Sequence, residues 1–302
     1  MATKAHARPL TGPLPGGSAE ATVTVEPLLA GRAKQPPGFA RRVGGRLRST
    51  RMVLGLGVPE DAWLEVPIPA FLVRHPTAGA VLVDTGLHPS VASDPRDNLG
   101  RLMGDKFSLE RGEDVPARLR ERGLDPGDVG TVVLTHLHLD HASAISEFPN
   151  ATFVVSAAEW EAATEGHLPA LNGYQRSQFD LAVDFRTVDY ASDAVSSYGP
   201  LARTFDLFGD GSIRLAFTPG HSSGHQSVVC RLPKRDFLIA GDALFDWQQM
   251  TDDTEPWRVP DLYAWRRSLE ELRAYRREYP HAVICPGHDP EYWEKLEASY
   301  SE

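Results

Sequence analysis

Four side chains of types that bind metal ions lie close together in the segment Thr135-His-Leu-His-Leu-Asp-His-Ala142. On an extended chain His136 and His138 point to the same side, because side chains alternate with a period of two. Asp140 and His141 can join them only where the chain turns after the strand, and we predict that residues 142–145 make this turn into a helix. The segment therefore predicts a metal site at the end of a strand, and unrelated surface histidines are the disfavoured alternative.

Three further residues of the same types each follow an apolar run and a glycine. They are His221 after Thr218-Pro-Gly, Asp242 after Ile239-Ala-Gly and His288 after Cys285-Pro-Gly. The ends of strands are the usual place for functional residues in α/β proteins. Each residue alone fits a structural role equally well, but the recurrence of the pattern favours one shared site.

The elements that must position these residues alternate between strands and helices along the chain. Helices are predicted over residues 113–122 and 157–165, and a third begins at Asp261 as N-cap with an apolar stripe that packs on a sheet. Strands are predicted over residues 71–73, 80–83, 131–134, 151–156, 213–217, 227–231, 237–240 and 282–285. This order predicts an α/β fold in a single domain over residues 21–302, after a flexible tail over residues 1–20.

Composition excludes several classes of function. The chain has 302 residues, with 31 Lys and Arg against 41 Asp and Glu, a formal charge of −10. This charge predicts no nucleic-acid or membrane partner. Two cysteines cannot make a disulfide framework, and no apolar run or N-terminal signal is apparent, so we expect a cytoplasmic protein. The arginine-rich segment 41–51 is interpreted as a solvated loop, with an anion-binding patch as the alternative.

The ordered set Asp84, His136-x-His138-x-Asp140-His141, His221, Asp242 and His288 resembles the five motifs of the metallo-β-lactamase superfamily. The resemblance implies an αββα sandwich of two mixed β-sheets flanked by helices, with two divalent metal ions, expected to be Zn²⁺, held on loops at one edge. It assigns His136, His138 and His221 to one ion, Asp140, His141 and His288 to the other, and Asp242 to both. It also implies that Asp84 orients the ligands, whereas we interpret His225 as a hydrogen-bonding structural histidine rather than a further ligand.

Within this superfamily the chain is similar to the N-acyl homoserine lactonases. The similarity lies in residues 71–90, 135–142, 218–227 and 286–289, and in the insertion between the first two stretches. It implies that a hydroxide between the two ions opens a small-molecule lactone or ester, with Asp140 and Asp242 as catalytic residues, and it is compatible with a homodimer. A di-metal phosphodiesterase or organophosphate hydrolase is the alternative, and a non-catalytic metal-binding protein is less favoured.

Phe245 departs from the lactonase pattern. The lactonases carry a tyrosine at this position, three residues after the bridging aspartate, and a phenyl ring cannot donate its hydrogen bond to the substrate carbonyl. Loss of such a donor can cost about 10²–10³ in rate. Together with Met103, Phe107, Trp247 and Trp257, Phe245 is predicted to line an apolar acyl pocket, and packing in the core is an equally good interpretation.

Overall fold

The described part of the chain consists of strands and helices that alternate as the sequence predicts. The structure is a computed structural model that describes residues 5–37, 51–52, 55–101, 103–167, 169–257 and 259–302. Its strands are β1 (Ala7–Pro9), β2 (Thr24–Gln35), β3 (Leu64–His75), β4 (Gly79–Val83), β5 (Phe107–Ser108), β6 (Thr131–Val133), β7 (Thr152–Ser156), β8 (Asp184–Val188), β9 (Val195–Tyr198), β10 (Leu201–Asp206), β11 (Ile213–Phe217), β12 (Gln226–Arg231), β13 (Asp236–Gly241) and β14 (Val283–Pro286). Its α-helices are α1 (Pro95–Leu99), α2 (Val115–Glu121), α3 (Ala157–Glu165), α4 (Gln248–Thr251), α5 (Leu262–Glu278) and α6 (Pro290–Trp293).

These strands form two mixed sheets. The first has eight strands in the order β1-β8-β7-β6-β4-β3-β2-β5, and the second has six in the order β14-β13-β12-β11-β10-β9. In the first sheet the five neighbouring strands β1, β8, β7, β6 and β4 pair in parallel, and β3, β2 and β5 continue the sheet with antiparallel pairs. In the second sheet the neighbours β13 and β14 pair in parallel, and the other neighbouring strands pair antiparallel. The predicted pair of mixed sheets is confirmed.

Side chains alternate between the two faces of each strand, so one face packs against the other sheet and the opposite face against helices. Phe71 and Val73 of β3 pack with residues of the second sheet such as Phe237, whereas Leu72 faces the opposite side and packs with Leu119 of α2. On the outer face of the second sheet, the predicted stripe of α5 (Trp265, Leu269, Leu272 and Tyr275) is buried against β12, β13 and β14. The result is the helix–sheet–sheet–helix sandwich that the resemblance to the metallo-β-lactamase superfamily implied. Within the described residues, no helix is both long and apolar enough to span a bilayer.

The prediction of a flexible tail is wrong for residues 5–20. Strand β1 pairs in parallel with β8, and Ala5 is buried in the core next to the first sheet. Further along, Leu14 packs between the sheets, and the Ser18 amide donates a hydrogen bond of 2.8 Å to Asp210. The few apolar residues of this segment therefore pack against the core. The sequence did not indicate this packing because these residues are not periodic.

Two other expectations differ from the structure. Strand β2 was not predicted, because Pro27 and Gly31 interrupt its pattern. Gly31 lies at a bulge between Leu29 and Arg32 with φ +134°, where a Cβ would come within 2.4 Å of Leu87. Residues 142–145 do follow a turn into a helix, but this helix is a single 3₁₀ turn over Ile145–Glu147 rather than an α-helix. In segment 41–51 all residues except Arg51 lie outside the described residues.

Candidate metal centre

The ends of five strands bring the predicted site residues to one edge of the sandwich. Asp84 follows β4 and His136 follows β6, and these strands are parallel neighbours in the first sheet. In the second sheet β11, β13 and β14 run in the same direction, and His221, Asp242 and His288 come after their carboxyl ends. Parallel direction thus makes residues that are far apart in the sequence converge.

All seven predicted ligands meet in this place. Three groups of side chains each bring their ligand atoms within 4.8 Å of one another. One is His136, His138 and His221; the second is His136, His141 and Asp242; the third is Asp140, His141 and His288. The first and third groups are the two sets that the resemblance assigned to separate ions.

Asp242 lies between the two sets. Its Oδ2 is 3.2 Å from His221 Nε2, whereas its Oδ1 is 3.1 Å from His288 Nε2 and 3.5 Å from His141 Nε2. Asp140 Oδ2 is 3.7 Å from His288 Nε2 and 3.8 Å from His141 Nε2. One carboxylate therefore faces both sets with a different oxygen, which is the arrangement of a bridging ligand.

The buried polar atoms of the site fit divalent cations. His136 Nε2, His141 Nε2 and Asp242 Oδ1 are fully buried, and none has a hydrogen-bond partner among the described residues. Such atoms are costly unless something satisfies them. Burial also lowers the pKa of His136 and His221, which keeps these rings in the neutral form that ligates metals. Two ions held by imidazole and carboxylate would satisfy the orphaned atoms.

Hydrogen bonds outside the cluster orient three of the histidine rings toward it. Asp84 Oδ2 accepts from His141 Nδ1 at 2.8 Å, and Asp84 also accepts from the amide and hydroxyl of Thr135 at 2.7 and 2.8 Å. His288 Nδ1 donates to the Pro67 carbonyl at 2.8 Å, and His136 Nδ1 lies 3.0 Å from the Thr135 hydroxyl. The Nε2 atoms of these three histidines are thereby left facing the site, as bound metal requires.

His225 is buried beside the cluster but is absent from its three groups of ligand atoms. Its Nε2 accepts the amide N–H of Asp242 at 3.0 Å, so its Nδ1 carries the proton and lies 2.9 Å from the Thr218 hydroxyl. Burial lowers the pKa of His225 to about 3. This geometry agrees with the interpretation of His225 as a hydrogen-bonding residue that supports Asp242.

The residues proposed for an acyl pocket are divided between the site and its surroundings. The Phe245 ring lies 4.8 Å from the His288 ring and borders the site directly. The Trp247 ring stacks on Tyr292, with 5.1 Å between the ring centroids, and the Trp247 amide donates to the carboxylate of Asp289, the residue after His288. Met103 and Phe107 pack against an apolar cluster that contains Leu139, next to Asp140 in the chain. Phe245 thus has a ring contact with a predicted ligand, and the pocket stays a prediction.

Sequence reasoning missed Glu159. It was placed in helix α3 without a role, and Ser156-x-x-Glu159 has the form of a capping box at the start of that helix. The Glu159 amide does donate a hydrogen bond to the Ser156 hydroxyl, at 3.1 Å, but the Glu159 carboxylate turns away into the interior and is completely buried. There it bonds the loops that carry His138 and His221, a role that no spacing in the sequence indicates.

An αββα sandwich with a His and Asp cluster at the edge where its sheets converge defines a class of metal-dependent hydrolases. The model of the metallo-beta-lactamase superfamily matches residues 63–288 of this sequence, and the chain belongs to that superfamily.

Several relatives are lactonases. N-acyl homoserine lactonase AttM of Agrobacterium fabrum is 35% identical over 232 residues, which cover 76% of this chain and 84% of that protein. AttM of Azorhizobium caulinodans is 36% identical over 234 residues, with the same two coverages. Among solved structures, B. thuringiensis AiiA with N-decanoyl-L-homoserine bound at its active site gives a TM-score of 0.70 at 22% identity, over 91% of this chain and 97% of that one. This last likeness confirms the fold.

Proposed function

We propose that this chain is a di-metal lactonase that opens the ring of N-acyl homoserine lactones. The observation that carries the proposal is the position of the Asp242 carboxylate between two sets of ligand atoms, with the orphaned nitrogens of His136 and His141 beside it. An ester or lactone is favoured as the substrate because the relatives with 35% and 36% identity are named as N-acyl homoserine lactonases.

The residue roles follow from the geometry. His136, His138 and His221 would hold one ion, Asp140, His141 and His288 the other, and Asp242 both. We propose Zn²⁺, since imidazole and carboxylate donors without thiolate suit it. When bound, a pair of such ions supplies a water of lowered pKa and a Lewis acid for the carbonyl oxygen.

Asp140 and Asp242 would differ in their tasks. The Asp242 side chain is 5% exposed and that of Asp140 is 15% exposed, so Asp140 is the carboxylate that a substrate can approach. We assign to Asp140 the transfer of a proton to the alkoxide that leaves when the ring opens. Asp242 is instead held in place through its amide by His225. Phe245 shapes the site beside His288 and donates no hydrogen bond to the substrate.

The test combines metal analysis with a substrate panel. We expect two metal ions per chain and faster turnover of an N-acyl homoserine lactone than of an aryl ester or an aryl phosphodiester. His136→Ala and Asp242→Ala should lose bound metal and lactone turnover together, whereas His281→Ala, at an exposed histidine outside the cluster, should retain both. Faster turnover of the phosphodiester would favour the alternative hydrolase, and bound metal without turnover of any substrate would favour a non-catalytic protein.

A further inference from the structure

Glu159 joins two loops of the metal centre from behind. Its Oε1 accepts the amide N–H of Leu137 at 3.0 Å, and Leu137 lies between His136 and His138. Its Oε2 accepts the Ser222 hydroxyl at 2.6 Å and the Gly224 amide at 3.0 Å, in the loop that begins at His221. One carboxylate therefore connects the two loops that supply the three-histidine set.

The loop after His221 packs tightly against the start of α3, where Glu159 lies. A Cβ on Gly224 would come within 2.1 Å of the Glu159 amide, so the His221 loop lies directly on the first turn of α3. The hydroxyl of Tyr174 also bonds Glu159, and the Tyr174 ring lies 5.1 Å from the His138 ring. Four donors thus converge on a side chain with no exposed surface.

The spacing that this contact maintains is short. His138 Nδ1 and His221 Nε2 are 2.9 Å apart, although 83 positions separate the two residues in the sequence. A displacement of either loop would change this distance directly. Displacement of the other set is not expected, since Asp84 and the Pro67 carbonyl orient His141 and His288 independently of Glu159.

We infer that Glu159 is a positioning residue which sets the metal affinity of the His136–His138–His221 half of the centre. The inference rests on the proposed metal centre. It adds that Glu159 bonds the loops of one half of the centre, whereas Asp84 bonds the His141 ring of the other half. Loss of a hydrogen-bonding partner behind a metal ligand typically costs about 10–100-fold in metal affinity.

Glu159→Gln is the informative variant because it preserves shape. The amide has one oxygen, so whichever way it turns, its NH₂ group faces an N–H that cannot accept, from Leu137 on one side or Gly224 on the other. Either Leu137 or Gly224 must therefore lose its backbone hydrogen bond to this side chain, although the Ser222 hydroxyl can turn to accept from the NH₂ group. Glu159→Asp keeps the charge but is one methylene shorter, so it tests whether reach to both loops is what matters.

The measurement is metal content per chain at a series of buffered free Zn²⁺ concentrations, together with the Tm of the metal-free protein. We expect Glu159→Gln to require about 10–100-fold more free Zn²⁺ to load one of two ions, with the other ion unchanged. In a His138→Ala background, which already lacks that half of the centre, Glu159→Gln should cause no further loss. In a His288→Ala background it should weaken the ion that remains.

Asp236→Asn is the matched control. Asp236 is also a buried carboxylate, and it accepts the hydroxyls of Tyr198 and Tyr275 away from the site. The Asp236→Asn variant should have a lower Tm in the metal-free form but the same zinc affinity as the wild-type protein. The inference is overturned if Glu159→Gln binds both ions with wild-type affinity, weakens both equally, or changes zinc affinity no more than Asp236→Asn does. Wild-type protein that binds no metal would instead overturn the proposed function.

Discussion

Replacement of Asp84 by Asn should weaken one of two metal ions while the backbone stays in place. Asp84 has φ +59°, a left-handed conformation that Asn adopts more readily than most residues. Its carboxylate accepts three hydrogen bonds, from the Thr135 amide, the Thr135 hydroxyl and His141 Nδ1. An Asn amide can keep either the Thr135 amide or the His141 proton, but its NH₂ group then opposes the other donor.

The size of the effect follows from this count. A buried donor left without a partner costs about 1–3 kcal/mol, and each 1.4 kcal/mol is about tenfold in an equilibrium constant. If the ring of His141 avoids the conflict by moving its proton to Nε2, the nitrogen that faces the site can no longer ligate. We therefore expect about 5–150-fold weaker binding of the ion at Asp140, His141 and His288.

Competition for zinc with a chromophoric chelator measures this change, and nitrogen NMR of the histidine rings reports the tautomer of His141. The ion at the three-histidine set should be weakened much less, because Asp84 contacts none of those rings and is linked to His136 only through the Thr135 hydroxyl. Wild-type affinity for both ions in Asp84→Asn, with His141 still protonated at Nδ1, would refute the reasoning.

Three other outcomes are expected. Removal of metal by a chelator should abolish lactone turnover, and added Zn²⁺ should restore it in the wild-type protein but not in His136→Ala. Phe245→Tyr should raise kcat for a lactone at least about tenfold, since one donor to a developing oxyanion can contribute about 10²–10³; an unchanged kcat would show that another group already serves. Although burial opposes it, hydrogen bonds from Ser212, Ser18 and His75 lower the pKa of Asp210 to about 2. Chemical denaturation of the metal-free protein should therefore show Asp210→Asn about 2 kcal/mol less stable at pH 7, with the difference shrinking as the pH falls from about 4 toward 2; a constant difference would contradict the assignment.

The cluster of proposed ligands was predictable because its signal in the sequence is local. His136 to His141 form one motif, and each later ligand follows an apolar strand and a glycine, so the end of a strand is legible from a few neighbouring residues. The stripe of α5 and its N-cap at Asp261 are periodic features of the same kind, and the structure has both. Short motifs and periodic stripes of this kind are enough to predict most of the strands and helices around the site.

What escaped prediction depends on contacts between distant segments. Glu159 has an ordinary place in the first turn of a helix, and only the fold brings Leu137 and Ser222 to its carboxylate. Strand β1 has no apolar alternation, and its pairing partner β8 lies more than 170 positions further along the chain. Pro27 and Gly31 likewise disguised β2, because a bulge accommodates residues that usually end strands.

Strand β1 also has a consequence for the solubility of shortened forms of the protein. It lies at the outer end of the eight-stranded sheet, where Ala7, Arg8 and Pro9 pair with β8, and Arg8 adds an ion pair of 2.8 Å to Asp184. A Pro at such an edge and a charged side chain are two features that discourage another chain from adding a strand. Deletion of residues 1–20 would uncover the row of amide and carbonyl groups along β8. Self-association through that edge, rather than loss of metal or of turnover, is the defect that such a truncation should show first.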